Sequence, residues 1–263
     1  MIAIRTEHEI GLLREANQIV AEALVTLAAM VAPGVTTAEL DAAGEEVIRK
    51  AGATPSFLGY HGYPRATCIS ADEVIVHGIP GNRRLKDGEI VSIDVGACFE
   101  GYHGDAAVTV ACGDVDETRQ RLMAATDCAL ARGIAAARAG SYLVEVSRAV
   151  QQAVKAAGFS VVRAFVGHGI GTELHEEPQI PNFDTGSRGP LLKPGMVLAI
   201  EPMVNAGTSK VNVLRDGWTA VTADRKPSAH FEHSIVVRDG EADILSGTPR
   251  LVWGHGSERS LRN

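Results

Sequence analysis

Asp94 and Asp105 stand eleven positions apart in the stretch Glu89-Ile-Val-Ser-Ile-Asp94-Val-Gly-Ala-Cys-Phe-Glu-Gly-Tyr-His-Gly-Asp105-Ala-Ala-Val-Thr-Val-Ala111. Ile90 to Asp94 and Ala106 to Val110 are short β-rich runs. The Gly-containing segment between them, centred on Phe99 and Glu100, makes the whole read as a hairpin. Folding about that centre places the two carboxylates opposite each other, with Cβ atoms roughly 4.5–5.5 Å apart. Directly opposed like charges destabilise a sheet. A cation between them, or a proton on one of them, relieves the conflict. A one-residue slip would instead leave one Asp as a turn cap.

Three further candidates lie beside short apolar runs. Val166-Gly-His168-Gly-Ile-Gly-Thr-Glu-Leu-His175-Glu-Glu-Pro178 sets two histidines among glycines, which let a backbone approach a metal or substrate closely. Met196-Val-Leu-Ala-Ile-Glu201-Pro202 ends a strand-like run on a carboxylate, and an unpaired buried charge is costly. Phe231-Glu232-His233 opens another strand with an acid. Each has an ordinary alternative: a solvated loop histidine, or Glu201 paired with Arg215. His230 and His233 read as strand-end residues, and alternation puts His233 on the face opposite Glu232. His8, His61, His103 and His255 are unassigned. Taken together, Asp94, Asp105, His168, Glu201 and Glu232 offer one imidazole and four carboxylates. That set suits two hard or borderline divalent ions better than one tetrahedral zinc. Such paired ions, about 3.5–4 Å apart, form a hydrolytic arrangement.

These residues need positioning elements. Thr6-Glu-His-Glu9 and Thr36-Thr-Ala-Glu39 fit capping boxes, predicting helices to about Val31 and to Ala51-Gly52. Two more helices are predicted from Asp114 to Ala139 and from Ser141 to Ala157. Between the helix pairs come the aromatic, Gly-rich loop Phe57-Leu-Gly-Tyr60-His61-Gly-Tyr63-Pro64, a strand from Thr67, and Ile75-Val-His77-Gly-Ile-Pro80. The second half echoes the first. Leu85-Lys-Asp-Gly-Glu-Ile-Val-Ser-Ile-Asp94 aligns without a gap on Leu192-Lys-Pro-Gly-Met-Val-Leu-Ala-Ile-Glu201, and Ala51-Gly52 falls on Ala157-Gly158. Two α+β halves related by an approximate twofold axis, sharing one site, follow from this repeat.

The 263 residues, 45% of them hydrophobic, provide an ample core. A net charge of −7 argues against nucleic acid or an anionic membrane surface as the main partner. The four cysteines form no Cys-x-x-Cys pair, the N-terminus lacks a signal-peptide pattern, and no apolar run is long enough to cross a bilayer. A cytoplasmic protein is expected. Residues 1–246 read as one catalytic domain, and 247–263 as a polar C-terminal tail outside the core, possessing the composition of a disordered segment.

Gly59-Tyr-His-Gly-Tyr-Pro64, Val76-His-Gly-Ile-Pro80, Ser92-Ile-Asp-Val-Gly96, Gly104-Asp-Ala106, Gly167-His-Gly-Ile-Gly171, His175-Glu-Glu-Pro178, Ile200-Glu-Pro202 and Phe231-Glu-His233 together carry a resemblance. Over residues 2–246 the chain resembles the type I, bacterial-type methionine aminopeptidases. The resemblance implies the α+β pita-bread fold: an antiparallel sheet with helices on its outer face, and two pseudo-twofold halves sharing a dinuclear metal site. It implies Asp94, Asp105, His168, Glu201 and Glu232 as metal ligands for two divalent ions (Co, Mn, Fe, Zn or Ni), with a monovalent cation, Na or K, nearby. It also implies His77, His175 and Glu201 as catalytic residues, the two histidines contacting the scissile peptide. An apolar pocket built from Phe57, Tyr60, Tyr63, Cys68, Leu174 and Trp218 would take the methionine side chain of a nascent polypeptide with a small second residue. A monomer that meets the ribosome transiently is expected. Leu174 stands where many relatives carry Phe, Asp72 replaces a frequent Asn near the monovalent ion, and Phe57 exceeds the usual residue. A proline-directed peptidase would need a sizeable N-terminal domain before His77, and a non-enzymatic relative would have lost ligands.

Overall fold

Thr6 and Thr36 start the first two helices as their spacing requires. In the computed structural model, which describes residues 2–247, α1 runs Glu7–Met30 and α2 Thr37–Lys50. Each is opened by a reciprocal capping box, with the Glu39 carboxylate accepting the Thr36 N–H at 2.7 Å. α3 (Glu117–Ala136) begins three residues later than Asp114. Asp116, not Asp114, caps it by accepting the Arg119 N–H at 2.8 Å, while the Asp114 N–H is taken by Asp87. α4 (Leu143–Ala156) completes the set, and Gly52 and Gly158 end α2 and α4 in the left-handed region that glycine tolerates. The expected 247–263 tail, after Gly247, lies outside the described residues.

The hairpin forms from strands Glu89–Phe99 and Tyr102–Cys112, but its register differs from the expected one. Asp94 pairs with Ala107, and Asp105 with Gly96. The two acids are therefore diagonal neighbours on one face, not directly opposed. The turn decides this. Glu100 and Gly101, with φ of 49° and 82°, are its central residues, and a two-residue turn of this kind needs positive φ at both. Only Gly101 announces that in sequence.

The internal repeat is duplicated in hydrogen bonds. The Gly34 N–H donates to Leu85 O and the Leu85 N–H to Val35 O; in the second half the Gly140 N–H donates to Leu192 O and the Leu192 N–H to Ser141 O. Thr36 bridges Arg84 as Tyr142 bridges Leu191. The sheets are antiparallel throughout the described residues. One buried cluster takes in Leu24 of α1, Leu40 of α2, Leu122 of α3 and Val150 of α4, together with Ile93 and Ile200 from the two halves' strands. The mixed α+β architecture and the antiparallel sheets agree with the expected pita-bread class.

α1 lies against the hairpin directly beside Asp105. A Cβ at Gly104 would sit 2.7 Å from backbone atoms of Ala16 and Asn17. Neither helix nor hairpin yields there without repacking. Gly104→Ala should therefore destabilise the fold by about 1–3 kcal/mol. A urea midpoint equal to wild type would show that α1 moves aside freely.

Candidate metal centre

Strands from both halves deliver the acids. Asp94 and Asp105 come from the hairpin, and His168 from the short strand Gly167–Gly169, paired at Ala199 of strand Val197–Ile200. Strand His233–Val236 pairs on the other side of Val197–Ile200, with His233 opposite Ile200. Glu201 and Glu232 are the residues just beyond that last pair, which brings them together. The halves are joined by the Glu232 N–H donating to Ala107 O at 2.9 Å and Ser234 Oγ donating to Asp105 O at 2.8 Å. Glycines flank His168 because the sheet is tight here. A Cβ at Gly167 would lie 2.4 Å from Ala199 O, and one at Gly169 would lie 2.3 Å from Glu177 O.

Ligand atoms of Asp105, His168 and Glu232, all buried, lie within 4.8 Å of one another. His168 Nε2 is 3.9 Å from Asp105 Oδ2 and 3.7 Å from Glu201 Oε1. Burial pushes the His168 pKa down to about 3, so the ring is neutral. Its Nδ1 sits 3.0 Å from Gly169 O and donates there, which leaves the Nε2 lone pair aimed at the carboxylates. A lone pair facing carboxylates is repulsive unless something positive lies between them. The acids report the same conflict. Burial, then Glu201 against the opposing pull of His230, brings Asp94 to about 7, and burial brings Glu201 to about 8. Asp105 and Glu232 are pushed well above the carboxylate range, by burial first and then by the neighbouring acids. Asp94 Oδ1, Asp105 Oδ1 and Glu232 Oε1 are shut off from solvent without a hydrogen-bond partner. Orphaned carboxylate oxygens around an imidazole lone pair fit a divalent cation. Among the described residues Arg215 does not pair with Glu201; the imidazoles of His168 and His230 lie beside its carboxylate, at 3.7 Å and 3.3 Å.

The cluster forms one side of a hollow of about 190 Å³. Phe57, Tyr60, Tyr63, Cys68, Leu174 and Trp218 line it, as do His77 and His175. The bulk of Phe57 is accommodated by Gly96, where a Cβ would meet its ring at 2.6 Å. Tyr63 Oη donates to Thr67 O or Gly78 O, each at 3.1 Å, so its ring is a fixed wall. His77 holds a left-handed φ of 59° and places its ring edge-on to Phe165 at 5.3 Å. Asp72, expected beside a monovalent ion, has its carboxylate gripped by Arg119 of α3 at 2.8 Å and 2.5 Å.

His230 is a strand-end residue as expected, closing strand Ser228–His230, but it also lines the hollow. Its Nε2 is 3.3 Å from Glu201 Oε2, and the residue is 2% exposed. Thr109 on the hairpin holds it in place, accepting its N–H at 2.9 Å and donating to its carbonyl at 2.7 Å. No strand periodicity links it to Glu232, which lies between strand Ser228–His230 and strand His233–Val236. His233 indeed turns elsewhere, to Ser246 Oγ at 2.8 Å. Phe165 and Met203, also lining the hollow, carried no mark in the sequence either.

Residues 11–239 match the model of metallopeptidase family M24, and the chain belongs to that family. Within it, the chain is 50% identical over 246 residues to a methionine aminopeptidase of Clostridium perfringens, covering 94% of this chain and 99% of that protein. The crystal structure of a methionine aminopeptidase from Thermotoga maritima superposes with a TM-score of 0.92 at 44% identity, covering 94% of this chain and 100% of that one. A prolidase from Pyrococcus furiosus shares the fold at a TM-score of 0.77 and 24% identity, and the match spans 65% of its length.

Cation binding requires deprotonated carboxylates. With Asp94 and Glu201 raised to about 7 and 8, uptake of a divalent ion must expel protons at neutral pH. Proton release measured by pH-stat on adding Mn²⁺ should be larger at pH 6.5 than at pH 9, and apparent affinity should climb with pH until about 8. Release independent of pH over that window would show that these acids are not where the ion sits.

Proposed function

We propose that the chain removes the N-terminal methionine from nascent polypeptides by hydrolysis, with Asp94, Asp105, His168, Glu201 and Glu232 holding two divalent ions. The observation that carries this reading is the buried, partnerless carboxylate cluster opening onto an apolar hollow, in a member of a metallopeptidase family. When bound, the ions supply an acidified water and Lewis-acid pull on the scissile carbonyl.

The chain's own groups do the rest. Glu201, which faces the hollow from the end of its strand, would take a proton from the attacking water and pass it to the leaving amine. His175, at the mouth of the hollow, donates a hydrogen bond to the oxygen that gains charge, and His77 faces the peptide nitrogen. Phe57, Tyr60, Tyr63, Cys68, Leu174 and Trp218 enclose the methionine side chain. A small second residue passes the mouth most readily. Residues 1–246 act as a single catalytic unit, in a cytoplasmic setting where such N-termini emerge from ribosomes.

Purified protein loaded with Mn²⁺ or Co²⁺ should release methionine from Met-Gly-Met and leave an X-Pro dipeptide uncut. The opposite preference would reassign it to the proline-directed branch. Asp105→Asn should abolish turnover and ion uptake together; full activity of that variant in the presence of chelator would end the metal-based reading. His175→Ala should lower kcat by about 10²–10³-fold with bound metal unchanged, as loss of an oxyanion donor does. Loss of metal in that variant would move His175 into the ligand set.

A further inference from the structure

Tyr60 walls the hollow, yet its hydroxyl is committed to a neighbour. Oη lies 2.6 Å from His175 Nδ1, with ring centroids 5.1 Å apart. The loop that delivers it is closed on itself: the Gly59 N–H donates to Tyr63 O at 2.8 Å and the Tyr60 N–H to Phe57 O at 3.0 Å. Gly59, His61 and Gly62 all hold left-handed φ, so the hydroxyl is presented by a specified backbone rather than a free strand. On the other side, the His175 ring stands edge-on to His168, with centroids 4.3 Å apart. The backbone beneath is clamped separately. Arg5 Nη2 reaches both carboxylate oxygens of Glu176 at 2.5 Å and packs over Gly171, where a Cβ would collide with it. The main chain is thus settled by Arg5, and the ring is oriented by Tyr60.

A neutral imidazole has one N–H and one lone pair, and the group on one nitrogen dictates the other. A phenol that keeps its proton has that proton to offer, and at 2.6 Å Nδ1 receives it. The His175 proton then belongs on Nε2. We propose that Tyr60 is a positioning residue that locks His175 in the Nε2–H tautomer, so that the imidazole offers a donor to the scissile carbonyl oxygen. The opposite tautomer would leave one of the two ring nitrogens as a lone pair facing an oxygen that is gaining negative charge. The proposal rests on the reading above that His175 serves peptide hydrolysis.

Tyr60→Phe tests it, because this change keeps the aromatic wall and deletes only the hydroxyl. In zinc-loaded protein labelled with ¹⁵N-histidine, two-bond ¹H–¹⁵N spectra report the tautomer of His175, assigned through His175→Gln. Wild type should show a protonated Nε2 and a hydrogen-bonded, unprotonated Nδ1; Tyr60→Phe should show an average of the two tautomers. On Met-Gly-Met the same variant should lose about 10–100-fold in kcat, the usual range for a group that orients a site histidine, with KM and metal content nearly unmoved. In a His175→Ala background, adding Tyr60→Phe should cost nothing further. An Nδ1-protonated His175 in wild type, a tautomer unchanged by Tyr60→Phe, or additive losses in the double variant would each overturn the proposal. If wild type released no methionine, the proposed function would fall, while the spectra would still decide whether Tyr60 sets the ring.

Discussion

Four carboxylates and an imidazole lone pair packed together away from water repel one another, and the rest of the molecule exists to hold them there. In a low-dielectric interior such a group either keeps its protons or gathers around positive charge. Burial is the first cause of the raised pKa values of Asp94, Asp105, Glu201 and Glu232 and of the depressed His168, and at Asp94, Asp105 and Glu232 the neighbouring acids add to it. A divalent cation fits this cluster, because Asp94 Oδ1, Asp105 Oδ1 and Glu232 Oε1 are buried without a hydrogen-bond partner.

Holding repelling groups requires a scaffold that cannot relax. The structure meets this with duplicated halves packed into one core, so that strands from each half present acids to the same space. Close backbone approach removes the remaining freedom. Gly104 under α1, and Gly167 and Gly169 around His168, are positions where a single methyl group would push the strands apart. Cross-links from Ser234 and Glu232 to the hairpin carry the second half onto the first. The same rigidity serves the hollow, whose aromatic walls are tied by Tyr63 and Tyr60 to neighbouring groups rather than left to swing.

Phe57 and Asp72 are each accommodated locally. Phe57 gains its space from Gly96. Asp72 is neutralised by Arg119, which joins the hairpin side of the molecule to α3.

Much of this was legible before any coordinates. Helix starts are local, and Thr6 to Glu9 and Thr36 to Glu39 encode them within four residues. The internal repeat and the set of acids and His168 were also visible, because repetition and residue chemistry survive without a third dimension. What failed was whatever depends on geometry between segments. The hairpin register slipped by two positions because Glu100, an unremarkable residue in sequence, takes a left-handed conformation. The third helix starts three residues after Asp114, capped by Asp116, while the Asp114 N–H is held by Asp87 from an earlier segment. His230 entered the site because Thr109 pins it there, and the grip of Tyr60 on His175 spans more than a hundred residues. The chain alone determined which groups could do chemistry and where its helices begin. Only the folded arrangement decided which of those groups meet, since distances between remote residues are set by packing and hydrogen bonding that no local pattern contains.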